Sequence, residues 1–293
     1  MPETVRPDFA ENRVPDPDLR PKYRALLKHL QDLGSVVVGY SGGADSALLV
    51  GAARHALGRD KVLACLAAGP SLAAREREEA RALADLLDVE LAEYAGTEFA
   101  NPAYVANGAD RCFHCKADLF HHLARFAADR GAARILHGAN ADDTADYRPG
   151  HKAAREHGAL APLAEAGLSK AEVRSLSRAF GLPTADKPAM PCLSSRIPYG
   201  SAVTAAKLSA VERGEVLLRD MGFREARLRH DGDIARIEVP LDQLGLLAEP
   251  GKARALAASL KALGFRRAVV DLEGFRSGSL NEDLPEAEKR RHA

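Results

Sequence analysis

Six consecutive residues, Ser41-Gly-Gly-Ala-Asp-Ser46, carry the first chemistry in the chain. They follow a short apolar run, Ser35–Tyr40, that reads as a buried strand, and they open a helical pattern from Asp45 to Leu57 that Gly58 stops. Gly42 and Gly43 let the backbone approach a ligand closely, and a helix N-terminus offers unpaired N–H groups and a positive dipole to an anion. Ser41 and Ser46 add hydroxyl donors. Asp45 would repel a bare phosphate, so its use is to hold Mg²⁺ bridging phosphates. No Gly-Lys-Ser/Thr follows, so this is not a Walker A loop. The plain alternative is a tight turn with an Asp or Ser cap.

Thiols are the second candidate. Arg111-Cys-Phe-His-Cys-Lys116 places Cys112 and Cys115 three residues apart near a helix start, where thiolates are favoured. Cys192 lies in Met190-Pro-Cys-Leu-Ser-Ser-Arg196, between prolines in a constrained loop. Three uses compete: zinc with a fourth ligand from His114, His121 or His122, a dithiol redox pair of Cys112 and Cys115, or an iron–sulfur cluster on three cysteines. Spacing alone favours none of them. The histidines read as exposed helix residues rather than ligands, and Cys65, within Val62-Leu-Ala-Cys-Leu-Ala67, reads as a small buried hydrophobe.

The elements that must position these groups follow from the pattern. Strand and helix signals alternate over the first two hundred residues, which predicts an α/β fold with a doubly wound parallel sheet. Strands are expected at 35–40, 61–67, 89–94 and 133–137, with helices at 45–57, 72–87 and 112–130. Ser169 opens a further helix with Glu172 three residues on, a capping box. Residues 183–199 hold four prolines and should be mostly extended. Beyond residue 200 the rhythm changes to a smaller α+β unit: a helix at 207–221, strands at 226–229 and 234–239, a helix at 241–263 and a strand at 267–271. Leu217-Leu-Arg-Asp-Met-Gly-Phe-Arg-Glu-Ala echoes Leu260-Lys-Ala-Leu-Gly-Phe-Arg-Arg-Ala, each a helix end, a glycine stop and a strand start. The expected division is a mobile, proline-rich arm over 1–20, a nucleotide domain over 21–199, a small domain over 200–280 and a charged tail over 281–293.

Composition narrows the function classes. The 293 residues suit two domains with cores that need no disulfide staples. Acidic and basic residues balance at 41 each, which argues against nucleic acid as partner. Thirty of the basic residues are arginine, suited to carboxylate and phosphate recognition. Four cysteines are too few for a secreted disulfide scaffold, the first residues carry no signal-peptide core, and no apolar run is long enough to span a bilayer. A reducing cytoplasm is the expected location, without a membrane.

The Ser41–Ser46 motif resembles that of the PP-loop ATP pyrophosphatases, which cleave ATP to AMP and pyrophosphate while adenylating a substrate. A second matching element is Gly138-Ala-Asn-Ala-Asp-Asp143, at the carboxyl end of the sheet. The resemblance implies nucleotide contacts at Gly138 and Asn140 and a second Mg²⁺ ligand at Asp143; an Asn/Asp turn is the alternative.

Further blocks resemble the LarE family along most of the chain: Asn107–Lys116, Asn140–Gly150, Pro191–Gly200, Asp233–Glu238 and Asp271–Gly278. That family consists of ATP-dependent sulfur transferases of nickel-pincer nucleotide synthesis. The resemblance implies adenylation of a carboxylate of pyridinium-3,5-biscarboxylic acid mononucleotide, then displacement of AMP by sulfur. One kind of member sacrifices the sulfur of a single cysteine; another holds a [4Fe–4S] cluster on three. With Cys112, Cys115 and Cys192 present, the expectation is the cluster type, fed by sulfide or another sulfur donor, with sacrifice of Cys192 as the alternative. The same resemblance puts Ser195, Arg196, Arg227 and Arg229 around the substrate phosphate, makes Glu215 a metal or subunit-contact candidate, and implies a homo-oligomer. Arg227 and Arg229 alternate along a strand and face one side, as a solvated edge pair also would. Asp146 and Arg148 suit either a structural pair or substrate contact. Rival functions are a PP-loop tRNA thiolase, an amide-forming synthetase, and a zinc-stabilised nucleotide-binding scaffold without catalysis.

Overall fold

Leu19, Tyr23, Leu26 and Leu30 recur at helical spacing and bury one stripe of α1 (Leu19–Leu33), which Gly34 terminates with a φ of 76°. The computed structural model that contains this helix describes residues 6–132, 134–145, 149–188, 190–223, 225–276 and 279–283. After α1 come β1 (Val36–Gly39), α2 (Ala44–Leu57), β2 (Val62–Ala67), α3 (Ala74–Leu86) and β3 (Glu90–Tyr94). Then follow α4 (Pro102–Val105), α5 (Arg111–Arg130), β4 (Arg134–His137), α6 (Pro149–Glu156), α7 (Pro162–Glu165) and α8 (Lys170–Ala179). The remainder is α9 (Ala205–Asp220), β5 (Arg227–Asp231), β6 (Ile234–Glu238), α10 (Leu244–Leu247), α11 (Pro250–Ala262) and β7 (Arg267–Val270).

The chain forms two compact units. One combines the residues up to Glu98 with Cys112–Met190; the other combines Phe99–Arg111 with the chain from Pro191 onward. The first is the expected α/β fold, a parallel sheet of order β3-β2-β1-β4. The pairing Val37↔Leu63 puts these two side chains on one face, where they join Cys65 and the apolar residues of α5 and α6. Val36 and Val38 face the other way, into a core with α1, α2, α3 and α8. Alternation along one strand thus feeds two helical layers, as a doubly wound sheet requires. After β3 the chain returns past β1 to place β4 at its other side. This reversal of strand order makes a switch point between β1 and β4, and the carboxyl ends of strands at such a point are where open α/β sheets bind ligands.

The expected mobile arm over 1–20 is corrected for the part described. Phe9 and Val14 are buried, the Tyr23 hydroxyl donates to Phe9 O at 2.6 Å, and Asp8 N donates to Phe180 O at 3.1 Å. Gly51 leaves room for the Phe9 ring, since a Cβ there would lie 1.9 Å from Phe9 Cζ. Apolar burial outweighs the proline content that suggested mobility. Residues 1–5 and 284–293, part of the expected arm and tail, lie outside the described residues.

In the second unit β5 and β6 pair antiparallel and β6 and β7 parallel, giving the order β5-β6-β7. The helices α9 and α11 pack on β5 and β7 and on each other. The internal echo is realised bond for bond. Phe223 N donates to Leu218 O and Phe265 N to Leu260 O, across Gly222 and Gly264 with φ of 99° and 101°. Both phenylalanines are buried, anchoring the turn into each flanking strand. The helix expected at 241–263 is broken: Pro250 starts α11, and Glu249 before it is extended, as a residue preceding proline prefers.

The division falls at 190/191 rather than 199/200, and it carries 99–111 into the second unit. Asn107, wholly buried with a φ of 59°, explains why. Its amide donates to the carbonyls of Ile197, Pro198 and Ser201, and its own carbonyl accepts from Gly200 N. Arg111 bridges Asn107 Oδ1 and Ser194 O, and Tyr104 bonds the Ser194 hydroxyl at 2.8 Å.

Candidate active site

The loop after β1 is shaped by its glycines and serines. Gly42 has a φ of 68°, and a Cβ on it would lie 2.9 Å from Ala80 Cβ, so the turn fits against α3 only without a side chain. Ser41 N donates to Ser46 Oγ, Gly43 N to Ser41 Oγ, and Ser46 Oγ to Gly43 O. The loop therefore closes on itself and turns into the first turn of α2, which carries Asp45. Gly138, just past β4, lies against that turn: a Cβ on it would lie 3.0 Å from Ser46 N. Gly138 thus lets the loop after β4 lie against the first turn of α2 at the switch point, and a helix N-terminus there suits an anion.

Polar bonds join the two loops. Asn140 Nδ2 donates to Asp45 Oδ1 at 3.2 Å, and Asn140 N donates to Asp143 Oδ2 at 3.0 Å. The other Asp45 oxygen pairs with the Lys170 ammonium. Asn140 and Asp143 are both buried, and the Asp45 side chain is about a quarter exposed (23%). Lys170 escaped the sequence reading although it directly follows the recognised cap. Ser169 accepts from Glu172 N and Glu172 accepts from Ser169 N, completing the capping box that starts α8. Oxygen donors from Asp45 and Asp143, linked through Asn140, suit Mg²⁺ in kind. A cation on Asp45 would be repelled by the Lys170 ammonium.

Within the second unit the expected arginines gather with carboxylates. Arg196, 1% exposed, makes a two-pronged ion pair to Glu215 at 2.8 and 3.2 Å and donates to Pro191 O, Cys192 O and Ser195 Oγ. Glu215, an expected metal or subunit-contact residue, is buried with both oxygens on Arg196, and Leu228 N also donates to it. Arg229 pairs with buried Glu238 and donates to Ser195 O and Ser279 Oγ. The solvated-edge reading of Arg227 and Arg229 does not hold, because both are buried. Arg227 lies 4.9 Å from the centre of the Phe275 ring and donates to Ala226 O. Burial, with repulsion from Arg196, lowers its pKa to about 10. Ser195 Oγ donates to Cys192 O at 2.8 Å, so Arg196, Ser195 and the Cys192 backbone form one bonded turn.

Cys112 is exposed and Cys115 half-buried on the first turns of α5 in the first unit; Cys192 is exposed in the second. Cys65 is buried and its thiol pushed up to about 12 by that burial, which removes it from thiolate chemistry. Three accessible thiols match iron–sulfur ligation in donor type. Among the described residues, no three His, Cys, Asp or Glu side chains come together as a metal-holding group. His122, expected on an exposed surface, is instead half-buried, its ring 4.4 Å from that of Tyr94. Asp146 and Arg148 lie outside the described residues. Among those described, no helix is long and apolar enough to cross a membrane.

Comparison with known proteins agrees with this arrangement. Residues 24–106, which include the first loop, match the family model described as NAD synthase. A protein of uncharacterised function from Synechocystis sp. is 41% identical over 266 residues, covering 91% of this chain and 99% of that protein. Pyridinium-3,5-bisthiocarboxylic acid mononucleotide synthase of Lactiplantibacillus plantarum is 37% identical over 275 residues, covering 92% of this chain and 97% of that enzyme. A Methanocaldococcus jannaschii protein, also uncharacterised, is 24% identical over 173 residues, 59% of this chain and 67% of its own length. Near-complete coverage of the synthase, with a PP-loop at the head of the sheet, places the protein: the chain belongs to the LarE family.

Proposed function

We propose that this ATP-using sulfur transferase acts on pyridinium-3,5-biscarboxylic acid mononucleotide, in nickel-pincer cofactor synthesis, with sulfur supplied through a [4Fe–4S] cluster on Cys112, Cys115 and Cys192. The observation that carries the reading is the junction of the two loops at the switch point, where Asn140 of one holds Asp45 of the other. A substrate carboxylate oxygen attacks the α-phosphorus of ATP, the bond to the β-phosphate oxygen breaks, and pyrophosphate leaves. The acyl adenylate then loses AMP as a sulfur nucleophile attacks its carbonyl carbon. This order makes sense because a bare carboxylate is a poor acyl donor, whereas AMP is a good leaving group.

The chain's own groups have separate tasks. N–H groups of the Ser41–Ser46 turn and the start of α2 meet the negative charge that develops on pyrophosphate. Asp45 and Asp143 would hold Mg²⁺, which neutralises that charge further. Arg227, Arg229, Arg196 and Ser195 suit the substrate phosphate, with Arg227 lying over the Phe275 ring. Cys112, Cys115 and Cys192 would hold the cluster through three thiolates, and the cluster would supply the transferred sulfur.

The test is anaerobic reconstitution with iron and sulfide, followed by iron and acid-labile sulfide assay of the wild type and of Cys112→Ala, Cys115→Ala and Cys192→Ala. The wild type should be brown and each variant depleted. Colour retained in all three variants removes the cluster; loss of sulfur from Cys192 after one turnover favours its sacrifice instead. Failure of the dicarboxylate mononucleotide to elicit pyrophosphate from ATP removes the substrate assignment.

A further inference from the structure

Lys170 is attached to the phosphate-loop region twice, once through its backbone and once through its side chain. Its backbone N donates to Asp142 Oδ2 at 2.9 Å, and Ser169 caps the helix that it begins. From that fixed point its four-carbon stem reaches Asp45 and puts an ammonium on the Oδ2 oxygen, while Asn140 takes Oδ1. The pair is partly shielded, at 37% exposure for Lys170 and 23% for Asp45. An ammonium and a divalent cation on one carboxylate repel each other, so each weakens the hold of the other. A flexible lysine, with three donors and no fixed fork, can re-aim to a nearby phosphate oxygen without moving its backbone.

We propose that Lys170 is a positioning residue that competes with a divalent cation for Asp45 and releases the carboxylate when nucleotide phosphates arrive to accept its ammonium. The proposal rests on the reading of Asp45 as a cation ligand. It makes cation entry dependent on nucleotide: the protein alone holds its own positive charge at Asp45, and the triphosphate draws that charge away as it brings in the metal. A purely structural role, tying α8 to α2, makes a different prediction, since loss of the tie would weaken every ligand alike.

The test is Mn²⁺ binding by electron paramagnetic resonance, with and without α,β-methylene-ATP, on the full chain. The wild type should bind Mn²⁺ strongly only with the nucleotide. Lys170→Met should bind Mn²⁺ alone about tenfold more tightly than the wild type, and the Mn²⁺–nucleotide pair about tenfold more weakly, the size of one partly shielded ion pair. Lys170→Arg should keep the cation-alone affinity near the wild-type value. Lys170→Met binding Mn²⁺ alone no more tightly than the wild type overturns the proposal. If that variant does not fold, equal wild-type Mn²⁺ affinity with and without nucleotide overturns it instead. Retained Mn²⁺–nucleotide binding in Asp45→Asn sinks the underlying cation reading, a failure distinct from that of Lys170.

Discussion

Glu215→Gln should destabilise the second unit severely, because it strands a cation that has no access to water. Arg196 is 1% exposed and makes five hydrogen bonds, two to the Glu215 carboxylate and three to neutral oxygens of Pro191, Cys192 and Ser195. Removing one partner of a buried ion pair costs roughly 3–5 kcal/mol, since the other charge stays buried without compensation. Here the three neutral acceptors remain and glutamine keeps one carbonyl, so the low end, about 3 kcal/mol, applies. With a urea slope of about 2 kcal/mol/M, the midpoint of that unit should fall by about 1.5 M. The chain has no tryptophan, so far-ultraviolet circular dichroism is the signal to follow. Arg196→Met combined with Glu215→Leu should recover more than half of the loss, because a neutral pair leaves no charge unpaired. A Glu215→Gln midpoint within about 0.3 M of wild type would refute the reasoning, as would a double variant less stable than the single one.

Other consequences follow from burial. Phe9→Ala should cost about 3–4 kcal/mol, since its ring packs 5.0 Å from that of Phe180 and fills the space over Gly51. Thermal unfolding checks this, and an unchanged midpoint would return the segment to a mobile arm. His137 is lowered from 6.5 to about 4, chiefly by burial, with repulsion from Lys116 and His151 adding to it. Folding therefore favours the neutral ring. That stability is complete above the unfolded value near 6.5 and is lost as pH falls towards about 4. Between pH 7 and 4.5 the wild type should lose about 2.5 kcal/mol more than His137→Asn. Parallel pH profiles of unfolding free energy would show that the imidazole is not held neutral.

What could be read from the sequence was local or periodic. The phosphate loop depends on six adjacent residues whose glycines and hydroxyls meet one another within the same turn. The capping box of Ser169 and Glu172 and the repeated helix–Gly–Phe–strand units are equally short-range. Strand and helix periods were sufficient for a parallel α/β sheet followed by a smaller mixed one. Helix α1, with its apolar stripe of Leu19, Tyr23, Leu26 and Leu30, obeys the same periodic rule although no helix is expected there from the proline-rich residues before it. The break at Pro250 was within reach of the same rules, since the residue before proline disfavours helix.

The rest depends on contacts between residues far apart in the chain. Lys170 and Asp45 are 125 positions apart, and nothing in either neighbourhood names the other. Asn107 binds carbonyls some ninety residues on, which draws Phe99–Arg111 into the second unit and moves the division to 190/191. The sequence marks Arg196, Arg227 and Arg229 as cations; only the fold pairs the first and last with buried carboxylates and sets the middle one over an aromatic ring. By itself the sequence determined which groups can do chemistry and which elements carry them, because both are written in short spacings. The tertiary structure alone decided which charges are already neutralised, because that depends on burial and on partners that chain order does not bring together.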